Sequence, residues 1–168
     1  MFIKFKEYSK ILIMVVIMKI KEKTIEDLNI AVISNKGSLE AAKILFAKLS
    51  GWIESGEGEV AGNPFMIFYK LPEDIGDSEL LYDVGMPTSE LMTGDDLVNT
   101  AVMIEHKVLS AVHEGKRDNI INTYRAIAKY ADENNYDIIG SPKEVFINGF
   151  LENNNEKLTE VQLPVIKM

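Results

Sequence analysis

Glu144, in the stretch GSPKEVF over residues 140–146, is the residue with the most chemistry to offer in this sequence. In an extended segment side chains alternate between faces, so Glu144 shares a face with Phe146. A carboxylate held among apolar and aromatic neighbours is costly to ionise unless a cation pairs with it. Aromatic faces add an attraction for cations of roughly 0.5 to 2 kcal/mol each. Such a site suits a lipophilic cation, and flat rings tolerate many ligand shapes. Judged by residue type alone, the same glutamate would be an ordinary solvated one at a strand start.

Other chemistries are poorly provided for. The two histidines, His106 and His113, are seven positions apart in an extended stretch, so they point to opposite faces and do not share a metal. HEG at 113–115 is not the HExxH of a zinc protease, and there is no GxSxG, P-loop or dinucleotide glycine fingerprint. With no cysteine, disulfides, thiolate metal sites and thiol catalysis are excluded. We expect neither a metal nor a cofactor.

An internal repeat positions Glu144. Ile30 to Ile33 form a short apolar run; NKGS then turns the chain into a helix opened by Ser38, with Ala42, Phe46, Leu49 and Ile53 on one stripe. Two strand-like runs follow, GNPFMIFYK and ELLYDVGMP, separated by the turn-rich LPEDIGDS at 71–78. A shift of 78 positions carries Gly37 onto Gly115, Gly62 onto Gly140, Pro64 onto Pro142 and Phe68 onto Phe146. The stripe lands on Ile120, Tyr124, Ile127 and Ala131, and at a shift of 77 Val84 and Pro87 meet Val161 and Pro164. The second copy then reads as a strand around 98–113, a helix from about 117 to 134, and closing strands in KEVFING and KLTEVQLP. The partner of Glu144 in the first copy is Met66, so a charge breaks the symmetry.

The predicted fold class is therefore α+β: duplicated β-α-β-β modules with pseudo-twofold symmetry, an antiparallel sheet and two main helices. The repeats are expected at about 19–95 and 96–168 of a single domain. Each half alone is small, so the two should share a core, with a groove at their seam. Phe46, Tyr124 and Tyr130 read as core. Trp52 and Tyr82 fit a core or a pocket wall equally well.

The 168 residues carry 18 Lys and Arg against 26 Asp and Glu, a net charge of −8, with no basic stripe, which argues against direct nucleic-acid binding. The apolar run Ile11–Met18 is too short to span a membrane and lacks a small-residue cleavage site, so a cytoplasmic location is expected. Residues 1–18 read as an extension, either an added β-strand or residues upstream of a start at Met18.

Residues 19–168 resemble the GyrI-like small-molecule binding domain, the effector-binding domain of BmrR- and Rob-type drug-sensing transcription regulators. The resemblance rests on the duplicated β-α-β-β pattern, GNPF and GSPKEVF at equivalent places, Trp52 at the helix end and the closing TEVQLPV. It implies one curved sheet with two helices, and bulky apolar, often cationic, compounds bound in the groove between modules. Many members carry a helix-turn-helix ahead of this domain; this chain reads as a stand-alone member. The family's carboxylate, in a context like GxPxExY, falls on Glu144, and the aromatic two residues later is Phe146, which keeps the ring and loses the hydroxyl. The expected function is binding of hydrophobic, cationic small molecules for sensing or sequestration, with Glu144 as counter-charge and Phe146, Phe68, Met66, Trp52 and Tyr82 as walls. Two alternatives remain open. One is a hydrolase of reactive electrophiles, with Glu144 as general base and a tyrosine from Tyr82 or Tyr69. The other is a protein-binding inhibitor, as the link of the family's name to gyrase suggests, with a protein as partner.

Overall fold

The computed structural model describes residues 18–70, 79–150 and 154–168. The N-terminal run as far as residue 17 and the turn-rich 71–78 lie outside the described residues. The chain runs β1 (Lys21–Ile25), β2 (Leu28–Gly37), α1 (Ala41–Ser55), β3 (Phe65–Phe68), β4 (Leu80–Pro87), β5 (Asn99–Met103), β6 (His106–Glu114), a single 3-10 turn (Arg117–Asn119), α2 (Ile120–Glu133), β7 (Tyr136–Ile138), β8 (Lys143–Phe146) and β9 (Leu158–Lys167). No described helix is long and apolar enough to cross a membrane.

The architecture is α+β, with two helices on a curled antiparallel sheet in the order β1-β6-β9-β8-β3-β4-β2-β5 and β7 paired to the far end of β9. Against the duplicated β-α-β-β pattern, the first module carries one strand more than the residues suggested and the second carries two, since β7 follows its helix. The strand expected around 98–113 breaks at Ile104 and Glu105 into β5 and β6. β5 crosses to pair with β2, and in the same way β1, which begins in the charged stretch KIKEK, pairs with β6. Each module thus lends its leading strand to the other. Displaced by 78 positions, β1 coincides with β5 and β3 with β8, and β2 and β6 share their first residue.

The modules meet where β3 runs antiparallel to β8, with Phe65 opposite Val145, Met66 opposite Glu144 and Ile67 opposite Lys143. One face of the sheet carries the helices. There α1 buries Ala42, Phe46, Leu49 and Ile53, and α2 buries Ile120, Thr123, Tyr124, Ile127 and Ala131, the stripes expected from their spacing. Burying a leucine or phenylalanine side chain contributes about 1.5–3 kcal/mol, which makes these stripes the main hold of helix on sheet. Ser38 does not cap α1: the helix starts at Ala41 without a side-chain cap, and the Ser38 carbonyl instead accepts a hydrogen bond from the Tyr82 hydroxyl at 2.7 Å. The opposite face has its own apolar cluster of Ile30, Val32 and Phe65, flanked by Ile67, Met103 and Val145.

Candidate functional site

Glu144 lies at the centre of the sheet on the helix-bearing face, fully buried. Its neighbours on the adjoining strand and helices are apolar and aromatic. Met66 stands opposite it across the seam; Phe68 and Phe146 lie on the same face; Phe46 from α1 meets Phe146 edge-on with ring centres 6.1 Å apart. Phe150 closes the cluster, 4.7 Å from Phe46 and 4.9 Å from Phe146.

A buried carboxylate needs partners, and the second module supplies them. Arg117, in the turn ahead of α2, grips both carboxylate oxygens: Nη1 pairs with Oε1, and Nη2 donates to Oε2 at 3.0 Å. Gly115, at φ +99°, takes a left-handed conformation between the end of β6 and this turn. The Tyr124 hydroxyl, one turn into α2, donates to Oε2 at 2.5 Å. Burial first, and the Glu144 charge second, push the Tyr124 phenol well above its ordinary value, so it stays a donor. The Arg117 guanidinium also lies over the Phe68 ring, 5.1 Å from its centre. A second cation, Lys157, sits 5.1 Å from the centres of both Phe146 and Phe150 and is itself buried. Burial lowers its pKa, and the nearby Arg117 lowers it further.

The aromatic cage at the seam is thus already occupied by the chain's own cations. The guanidinium retains some access to solvent, with 21% of the side chain exposed, while Glu144 has none. Chemically this is an ion pair between a carboxylate fixed in the sheet and a guanidinium carried on the turn ahead of α2.

The structure brings together Glu144, Phe146, Phe68 and Met66. Tyr82 stands one strand further on, its ring 6.1 Å from Phe68 and its hydroxyl engaged with Ser38 and Asn35. Trp52 lies apart, donating from Nε1 to Asp95 at 2.7 Å beside a separate cavity of about 700 Å³ that includes Glu90 and Met92. Tyr69, the other tyrosine considered beside Glu144, is bonded to Asp83 on the opposite face. His113 is held by Thr123 and the Lys116 carbonyl, and His106 lies near the β5–β6 turn.

Sequence reasoning missed Arg117; Tyr124 is buried in the core as expected, but the role of its hydroxyl was not foreseen. The signal was nevertheless present, because the shift of 78 that pairs Met66 with Glu144 also pairs Leu39 with Arg117 and Phe46 with Tyr124. Three apolar residues of the first module become one interacting polar triad in the second.

The description of a GyrI-like small molecule binding domain matches residues 18–166. The chain belongs to the GyrI-like family. No curated protein matches this GyrI-like domain by sequence. Among solved structures, it is similar to EcmrR in a transcription complex with DNA, at 15% identity and a TM-score of 0.82 over 99% of this chain. It spans 64% of the length of that EcmrR chain. A hydrolase from Listeria innocua superposes with a TM-score of 0.67 at 12% identity, covering 88% of this chain and 92% of the other. SAV2435 bound to tetraphenylphosphonium does so with a TM-score of 0.54 at 13% identity, covering 89% and 94%. At these identities the likeness establishes a shared fold.

Proposed function

We propose that this GyrI-like domain, built from copies at about 19–95 and 96–168, binds hydrophobic cations at the seam, and that the ligand takes Glu144 over from Arg117. The observation that carries this reading is the buried Glu144 carboxylate inside an aromatic cage whose ring faces already hold cations. A carboxylate sequestered from water favours any cation that brings its own apolar surface, since the ligand then buries that surface and keeps the charge pair. Phe68, Phe146 and Met66 form the walls, with Tyr82 behind Phe68. Trp52 packs against the same apolar cluster but ties its indole to Asp95 beside the separate cavity, so it is assigned no direct contact with the ligand. Tetraphenylphosphonium, the ligand of the structurally similar SAV2435, is the natural probe. Calorimetric titration should show binding that weakens at least about tenfold in Glu144→Gln, equivalent to roughly 1.4 kcal/mol. It should strengthen in Arg117→Met, where no internal cation competes. Equal affinity in Glu144→Gln and wild type ends the reading.

A second reading, hydrolysis of an electrophilic small molecule, is favoured by the bond between Tyr124 and Glu144. The tyrosine would then be Tyr124 rather than Tyr82 or Tyr69, with Glu144 activating water once Arg117 has swung away. Turnover of an activated ester, lost in both Glu144→Gln and Tyr124→Phe, would support it; turnover that survives both substitutions excludes it.

A further inference from the structure

The opposite face of the sheet breaks the symmetry of the two modules in a second place. In the first module Phe65 of β3 stands opposite Gly85 of β4, and its ring fills the space above that glycine: a Cβ there would fall 2.3 Å from the ring. The equivalent pair in the second module is Lys143 opposite Gln162. Where one module is filled by a ring, the other leaves a pocket of about 330 Å³, lined by Ile67, Met103, Val108 and Pro164 together with Lys143 and Gln162.

Glu105, His106 and Ser141 also line this pocket, but Lys143 and Gln162 are the two polar side chains there that are both buried and poorly satisfied by the fold. Lys143 is 6% exposed, and among the described residues its amine bonds only to the Met103 thioether, at 3.7 Å, and faces the Phe65 ring at 5.3 Å. Gln162 is 3% exposed, and its side-chain oxygen is buried with no hydrogen-bond partner among the described residues. A buried amide oxygen without a donor is destabilising, a burden a binding site carries until its ligand arrives. His106 lies on the same wall. Its Nδ1 donates to the Ile104 carbonyl at 2.8 Å.

We propose that this pocket is a second binding site, separate from the Glu144 cage, which captures a small apolar aldehyde as a Schiff base on Lys143. The amine nitrogen attacks the carbonyl carbon, and the carbonyl π pair moves to oxygen to give a carbinolamine. That hydroxyl is the donor the Gln162 oxygen lacks. Expulsion of the oxygen with the two amine protons releases one water and leaves the C=N bond. Burial lowers the Lys143 amine from 10.5 to about 8, so a much larger share is the neutral nucleophile at neutral pH than for an exposed lysine.

Hexanal with cyanoborohydride at pH 7.5, applied to the intact chain, tests this by peptide mass mapping. Reduced imine should accumulate at Lys143 about tenfold faster than at exposed lysines such as Lys48, and the rate should saturate with aldehyde concentration. Labelling no faster than at Lys48, or without saturation, overturns the proposal. Gln162→Leu should slow Lys143 labelling while leaving the circular dichroism spectrum unchanged; an unaltered rate in that variant also counts against the site. Glu144→Gln should label Lys143 as wild type does, so failure of the cation-binding reading leaves this result standing.

Discussion

Met66 and Glu144 face each other across the β3–β8 seam and occupy the same position in the two modules, so the pseudo-twofold axis passes between a thioether and a carboxylate. Glu144 therefore lies at the boundary of the two modules, while its partners Arg117 and Tyr124 both come from the later one.

The triad should cost stability rather than supply it. Replacing a buried ion pair by apolar residues of similar size is commonly neutral or stabilising by about 1–4 kcal/mol. The first module provides the replacement set. Arg117→Leu, Tyr124→Phe and Glu144→Met combined should raise the urea midpoint or leave it unchanged while abolishing tetraphenylphosphonium binding. A large loss of stability in the triple variant would assign the triad a structural role.

Gly85 is required by the ring above it. Gly85→Ala places a methyl group against Phe65 and should destabilise the fold by about 1–3 kcal/mol. Adding Phe65→Ala should make the alanine at 85 nearly harmless. A double-mutant cycle by denaturant unfolding with no coupling between the two positions would contradict this packing.

Trp52 should report on stability more than on ligand. Its indole is tied to Asp95 beside a different cavity. Trp52→Phe is expected to cost about 1 kcal/mol of stability and to leave tetraphenylphosphonium affinity within about twofold of wild type. A loss comparable to that of Glu144→Gln would place the tryptophan in the site after all.

Lys143 gives a pH signature with a defined sign. Its folded pKa of about 8 lies below the ordinary 10.5, so between those values the unfolded chain holds more protons and stability rises with pH. Lys143→Met removes that penalty. The variant should exceed wild type by up to about 3 kcal/mol below pH 8, and its advantage should fade toward pH 10.5. Taking the difference between the two proteins cancels Tyr124, whose raised pKa makes stability fall above pH 10 in both. An advantage independent of pH would show that the amine is not desolvated as described.

Much of this fold was readable from residue spacing, because helix stripes such as Ala42, Phe46, Leu49 and Ile53 and punctuation such as Pro64 and Pro142 act locally. The β5–β6 break was not. Ile104 and Glu105 carry no glycine or proline, and only pairing with distant β2 shows that the chain must change direction there. At the site, Glu144 was legible because the repeat isolates it. Arg117 was not, since an arginine at the start of a helix reads as a solvated surface residue; only its long reach from the turn ahead of α2 onto β8 makes it a partner. The Lys143 and Gln162 pair was not legible for a related reason: Lys143 matches Phe65 at a shift of 78 and Gln162 matches Gly85 at a shift of 77, and only the strand register sets the two side by side.

The exchange of leading strands has a bearing on how the two halves can exist at all. With β1 lying on β6 and β5 on β2, neither half can be lifted away without baring a row of backbone amides and carbonyls on the strand it leaves behind. A fragment ending near residue 95 would look for that missing neighbour in another fragment like itself, and the mutual loan would turn a monomer's hinge into a dimer's handshake.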